Sequence, residues 1–222
     1  RMDVLIGGLS GLTFYHNQTP EGGLGPIALI ETTDFALEIN DMFKDEIRNV
    51  KALLVGDMNN DGAQDLIVLS YPNITSSKMR FFMGQPRPND VGGGTSGWTF
   101  VEQITYFPEN HQTGSPSSGV LADFDNDGDL DVFVGSYSGV NNLYLNELDG
   151  ETAGFVLGIN RIPNFTGHAT TAIALADFGV DRFPDLAICN ESNRTNIAVR
   201  LLEHTGADSL ADGDLLSLLR LP

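Results

Sequence analysis

Basic side chains are scarce in this sequence, with 12 Lys and Arg against 30 Asp and Glu and a formal charge of -18 at pH 7. A chain with that balance repels phosphate backbones and anionic lipid headgroups, which excludes nucleic acid and membrane surfaces as partners. Charged residues make up only 19% of the whole. The acidity therefore reflects missing bases as much as surplus acids, and a tight carboxylate cluster needs a cation to offset its self-repulsion. Cysteine is nearly absent too. The single Cys189 excludes a disulfide within the chain, and its neighbours Leu186-Ala187-Ile188 point to a small buried residue, not a nucleophile. No run of about eighteen apolar residues occurs, which excludes a transmembrane helix. The four histidines, His16, His111, His168 and His204, have no metal-ligand spacing. Neither a Gly-x-Ser-x-Gly elbow nor a phosphate loop is present, so the common catalytic signatures are missing and no enzyme is expected.

What is present is a chain of 222 residues, 41% hydrophobic, enough for a sizeable core. It opens on Arg1-Met2-Asp3 and passes straight into Val4-Leu5-Ile6. That start lacks a signal peptide and reads as an internal piece of a longer chain. Five Asn-x-Ser/Thr sequons, at Asn17, Asn73, Asn164, Asn190 and Asn193, exceed the roughly two expected by chance and favour a glycosylated, secreted protein.

Internal repetition is the main signal. Residues 52–68, 119–134 and 172–188 each read as an apolar run, an acidic loop and a second apolar run. Short Val, Ile, Leu, Phe and Tyr runs bounded by Gly, Asn, Asp and Ser predict strands. A third strand is expected where Asn142-Leu143-Tyr144-Leu145-Asn146-Glu147 matches Asn196-Ile197-Ala198-Val199-Arg200-Leu201 and, more loosely, Met79-Arg80-Phe81-Phe82-Met83-Gly84. A fourth is expected over 98–107, 155–162 and 215–221, each followed by proline, which fits a strand end because it cannot donate to a ladder. Asp3-Val4-Leu5-Ile6 matches Asp131-Val132-Phe133-Val134, so a first, partial repeat lacks its opening strand. The repeats run over about 1–48 (partial), 49–110, 116–164 and 168–222, all within one segment, 1–222. Acidic loops at 57, 123 and 177 are spaced by 66 and 54 residues. Four-stranded units at such a period predict an all-β protein of propeller blades, about three and a half to four of them and part of a larger propeller. Residues 34–48 carry the one helical pattern and are expected to form an insertion, and the Gly-rich 91–97 an exposed connector.

In loop two, residues 123–131, oxygen ligands stand at positions one, three, five and nine as Asp123, Asp125, Asp127 and Asp131. The backbone carbonyl of Asp129 is available at seven, and Gly128 permits the bend at six. This spacing wraps several carboxylates around one ion. It suits calcium, which gathers six to eight oxygens, and not zinc, which takes Cys and His. Position twelve is Val68, Val134 or Ile188, so the bidentate Glu of an EF-hand is missing. Loop one, 57–65, offers Asp57, Asn59, Asp61, the Ala63 carbonyl and Asp65. Loop three, 177–185, keeps Asp177, Asp181 and Asp185, but Gly179 stands at position three and Arg182 replaces the turn glycine. Loop three is expected to be weak or empty, with the Arg182 charge standing in for the cation.

The stretch Ala122-Asp123-Phe124-Asp125-Asn126-Asp127-Gly128-Asp129-Leu130-Asp131 resembles the FG-GAP or VCBS repeat, the blade unit of integrin α-subunit propellers and of many secreted adhesive or lectin-like proteins. The resemblance implies calcium ions that stiffen hairpins between the first two strands of each blade. The FG and GAP signature residues themselves are replaced, by Ser70-Tyr71-Pro72 and Ser136-Tyr137-Ser138. The function expected is an extracellular or cell-surface adhesion or assembly module with a protein partner, completed by flanking sequence or another chain. A glycan-binding propeller using Trp98, Tyr71 and Tyr137, and an accessory domain of a larger secreted enzyme, are the alternatives.

Overall fold

A computed structural model describes residues 4–17, 29–31, 47–73, 76–86, 98–103, 106–108, 114–147, 154–158, 169–178, 180–191, 197–204 and 210–212. All regular structure among them is β. Strands β1 (Val4–Gly8), β2 (Gly11–Asn17) and β3 (Leu29–Glu31) form a three-stranded antiparallel sheet. Three four-stranded sheets follow, each an antiparallel meander in chain order. The first contains β4 (Val50–Gly56), β5 (Asp65–Asn73), β6 (Ser76–Pro86) and β7 (Trp98–Glu102). The second contains β8 (Ser115–Ala122), β9 (Asp131–Ser138), β10 (Asn142–Asn146) and β11 (Phe155–Leu157). The third contains β12 (Ala169–Ala176), β13 (Asp185–Glu191), β14 (Ile197–His204) and β15 (Leu210–Asp212). The opening strands lie side by side, β4 against β8 and β8 against β12, and β1, equivalent to a second strand, lies against β4. This is the packing of propeller blades.

The buried apolar side chains lie between successive sheets, so the core sits between blades. Leu12, Leu66, Val68 and Phe82 fill the first interface. The second holds Met58, Ile67, Leu69, Phe81, Val132, Val134 and Tyr144. Phe107, beyond β7, stacks on Phe155 with ring centroids 4.6 Å apart and meets the Tyr144 edge at 5.5 Å. Phe124, Phe133, Leu143, Leu186 and Ile188 fill the third.

Close approach where the second strand of one sheet meets the first strand of the next uses a large residue against a small one, and the order reverses from blade to blade. Gly7 faces Val50 and Leu53, Leu69 faces Gly119, and Gly135 faces Thr170 and Ile173. A Cβ on Gly119 would sit 3.0 Å from Leu69 and 3.1 Å from Leu54. One on Gly135 would sit 2.8 Å from Ile173. Summed volume at each contact, not the identity of either residue, is therefore what the packing fixes.

Two strand expectations need correction. Val134 pairs with Asn142, Val68 with Arg80 and Ile188 with Arg200. The equivalent third-strand residues are thus Asn142, Arg80 and Arg200, one and four residues away from an alignment through Met79 and Asn196. The second-to-third hairpin has a different length in the second blade, and apolar patterning does not measure turn length. A one-residue slip exchanges the two faces of a strand. The last strand lies at Leu210–Asp212, ahead of 215–221, which falls outside the described residues. The fourth strands of the two preceding blades end at Glu102 and Leu157, short of their prolines. The helix expected over 34–48 falls outside the described residues apart from Ile47 and Arg48, which are not helical. The 91–97 connector also lies outside them.

Candidate metal centre

The three acidic loops join the first and second strands of their blades, and one hydrogen-bond pattern builds all of them. The first Asp accepts two backbone N–H groups across the turn. Asp57 Oδ1 and Oδ2 accept from Asp61 and Gly62 at 3.1 and 2.8 Å. Asp123 accepts from Asp127 and Gly128 at 3.1 and 3.0 Å. Asp177 accepts from Asp181 and Arg182 at 3.0 and 2.9 Å. The fifth residue closes the next step, with Asp61 accepting from Ala63, Asp127 from Asp129 and Asp181 from Phe183. Short carboxylates reach nearby backbone donors in this way and hold a turn without a ladder.

The last Asp does something the spacing did not reveal. Asp65, Asp131 and Asp185 are buried. Asp131 Oδ2 accepts from Phe124 N at 2.7 Å, while Oδ1 accepts from Asn146 N at 2.8 Å on β10. Asp65 repeats this with Met58 and Gly84, and Asp185 takes Phe178 N at 2.7 Å. This carboxylate ties the loop to the third strand. Sequence reasoning missed that contact because the third-strand donor is a backbone N–H, carried by Asn146 in one blade and Gly84 in another.

Among the described residues, three acidic side chains converge in loop two alone, and there only part of the predicted ligand set does so. In loop two, one oxygen each from Asp123, Asp125 and Asp131 lie within 4.8 Å of one another. Oxygens that sit about 2.4 Å from a shared calcium ion can be separated by up to twice that distance, so the triad fits one such ion. Asp125 Oδ1 is buried with no hydrogen-bond partner. A buried acceptor left unmatched is costly, and a cation is the partner that would satisfy it. Electrostatics agree. Burial first, then the Asp127 and Asp123 charges, push the Asp125 carboxyl above its ordinary range. Burial pushes Asp131 up to about 7, against the pull of its backbone donors from Asn146 and Phe124. Asp65 is raised too, chiefly by burial. A positive ion at the triad would reverse the penalties on Asp125 and Asp131. Asp127 is exposed and engaged with its own turn, and the Asp129 side chain points to loop one, where Asn60 Nδ2 donates to its Oδ1 at 2.5 Å. The backbone carbonyl of Asp129 is what it has to offer. In loop one, Asn59 Nδ2 donates to Asp61 Oδ2 at 2.9 Å, which leaves the Asn59 oxygen for the N–H of Asp61.

Loop three keeps the backbone shape without the residues suited to it. Val180 and Arg182 stand at φ 56° and 78°, where Asn126 and Gly128 have 62° and 99°. A β-branched residue in that region is strained. Arg182 serves through its backbone N–H. Its guanidinium is exposed and, among the described residues, forms no ion pair with the loop, so the expectation that its charge replaces a cation is corrected. Gly179 is outside the described residues.

The sequons fall in different settings. Asn190 is 1% exposed, with Oδ1 accepting from Thr170 Oγ1 at 2.8 Å. A glycan on that amide would have no exit, so Asn190 is removed from the acceptor set. Asn17 is half-buried on β2, Asn73 ends β5, and Asn164 and Asn193 lie outside the described residues. Of the aromatics considered for sugar stacking, Tyr137 is 51% exposed, with its hydroxyl 3.2 Å from Glu191. Tyr71 is half-buried, and the Trp98 side chain is outside the described set. Among the described residues no helix is long and apolar enough to cross a membrane.

Compared with known families, the profile of the FG-GAP-like repeat matches residues 57–134 and again 123–188. The two matches begin on the first Asp of loops one and two, and together they span more than half of the chain. No curated protein matches the sequence. With four-stranded blades, loops between first and second strands and two matches in register, the chain belongs to the FG-GAP-like repeat family.

Proposed function

We propose that this chain is a calcium-stabilised module of adhesion or assembly, acting outside the cell or on its surface by binding protein partners. The observation that carries the metal is the Asp125 oxygen, buried and unmatched inside a triad of carboxylates. Loop two would hold the ion through Asp123, Asp125, Asp131 and the Asp129 carbonyl. Loop one would do so through Asp57, Asn59, Asp65 and the Ala63 carbonyl, with Asp61, like Asp127, engaged with its own turn. When bound, the ion supplies charge that lets buried carboxylates stay ionised and locks the first two strands of a blade together. The carboxylates recur blade after blade, which suits a framework and not a single catalytic centre, so no enzymatic role is assigned. Family membership is consistent with an extracellular adhesion-type module. The exposed Tyr137 favours a second reading, glycan binding, which a glycan array with Tyr137→Ala tests.

Calorimetric titration with calcium decides the metal. Uptake by the intact chain that weakens at least tenfold in Asp125→Asn supports the reading. No heat of binding, with melting unaffected by a chelator, removes it.

A further inference from the structure

The two complete loops are joined beneath their surfaces. Asn146, at the end of β10, donates from Nδ2 to Met58 O in loop one at 2.7 Å and to Leu130 O in loop two at 3.1 Å. Both amide hydrogens are thereby used. Its backbone N–H holds Asp131 Oδ1, while the Met58 N–H holds Asp65 Oδ2 at 2.8 Å. A continuous path therefore runs from Asp65 through Met58 and Asn146 to Asp131, and all four residues are at most 1% exposed. Gly84 stands at the position of Asn146 in the preceding blade. The three-stranded sheet behind that blade presents no acidic loop among the described residues.

We propose that Asn146 couples the two calcium sites, so that an ion in either loop raises the affinity of the other. This rests on the calcium reading above. An ion drawing in Asp131 fixes the Asn146 backbone. The Asn146 amide then fixes the Met58 peptide, and Met58 N–H fixes Asp65, so the second loop has less ordering left to do when its ion arrives. Two divalent ions on adjacent loops repel, so independent loops would show equal or declining affinity. A coupling carried by buried hydrogen bonds is expected to change affinity about fivefold.

The test is calcium titration of the full chain by calorimetry, with loop one disabled by Asn59→Ala, which leaves net charge unchanged. Loop-two affinity should fall about fivefold in Asn59→Ala, and the same substitution made on an Asn146→Ala background should shift it by less than twofold. Asn60→Gly, which removes the exposed Asn60–Asp129 contact and adopts the φ of 56° at that position without strain, should preserve the coupling. It serves as the route test if Asn146→Ala does not fold. Loop-two affinity unmoved by Asn59→Ala overturns the coupling while leaving calcium binding intact, and coupling lost in Asn60→Gly overturns the route. Absence of any calcium uptake by the unaltered chain overturns the calcium reading and the coupling with it.

Discussion

Calcium entering loop two should displace a proton. Asp131 is pushed from 3.8 up to about 7 by burial, so between those values the ion-free fold keeps a proton that the unfolded chain has lost. Stability of the calcium-free protein therefore falls as pH rises from about 4 to about 7. At about 1.4 kcal/mol per pH unit the ceiling on that fall is about 4 kcal/mol. The loop mouth is wet, with Asn126 and Asp127 exposed, and screening there brings the expected loss to about 2 kcal/mol. For a chain of this size, that corresponds to roughly 4–8 °C in melting temperature. With calcium bound the carboxylate is held ionised, and the dependence should vanish above about pH 5. At pH 6, Asp131 is about nine-tenths protonated without the ion, so filling loop two should release about 0.9 proton. Calorimetry at pH 6 in two buffers of different ionisation enthalpy measures this number directly, and melting in chelator at pH 5 and pH 7 measures the stability. An Asp131 of ordinary acidity would release less than about 0.01 proton. Release near zero at pH 6, together with a flat melting temperature in chelator, would refute the argument that burial without a cation strains this carboxylate.

Two further outcomes follow from packing and backbone conformation. Gly119→Ile, which overfills the contact with Leu69 and Leu54, should cost about 2 kcal/mol in denaturant unfolding. Adding Leu69→Ala should recover more than half, because the pair would then resemble Gly135 against Ile173; simple additivity would speak against volume matching. Arg182→Gly should stabilise the protein by about 1 kcal/mol, since a glycine adopts the positive φ of that position without strain. A destabilised variant would show that the arginine side chain contributes contacts the backbone argument omits.

The sequence by itself determined the blades and their loops. Apolar runs of strand length separated by Asp-rich turns recur in register, and a local pattern of that kind dictates local structure: each loop closes on its own backbone through Asp57, Asp123 or Asp177, all within five residues. The same locality carries loop three into the shared shape despite Val180 and Arg182. Tertiary structure decided what depends on distance along the chain. Third-strand register could not be read because it depends on hairpin length, and Asn190 looked like any other sequon until β12 packed over it and placed Thr170 on its amide. Which acidic residues converge was also undecided, because the buried donors to Asp131 and Asp65 come from β10 and β6, fifteen and nineteen residues away. The join between loops one and two spans eighty-eight residues through a single amide. Nothing local marks Asn146 for that role, since it exists only when two blades stack and one side chain meets a carbonyl across the interface.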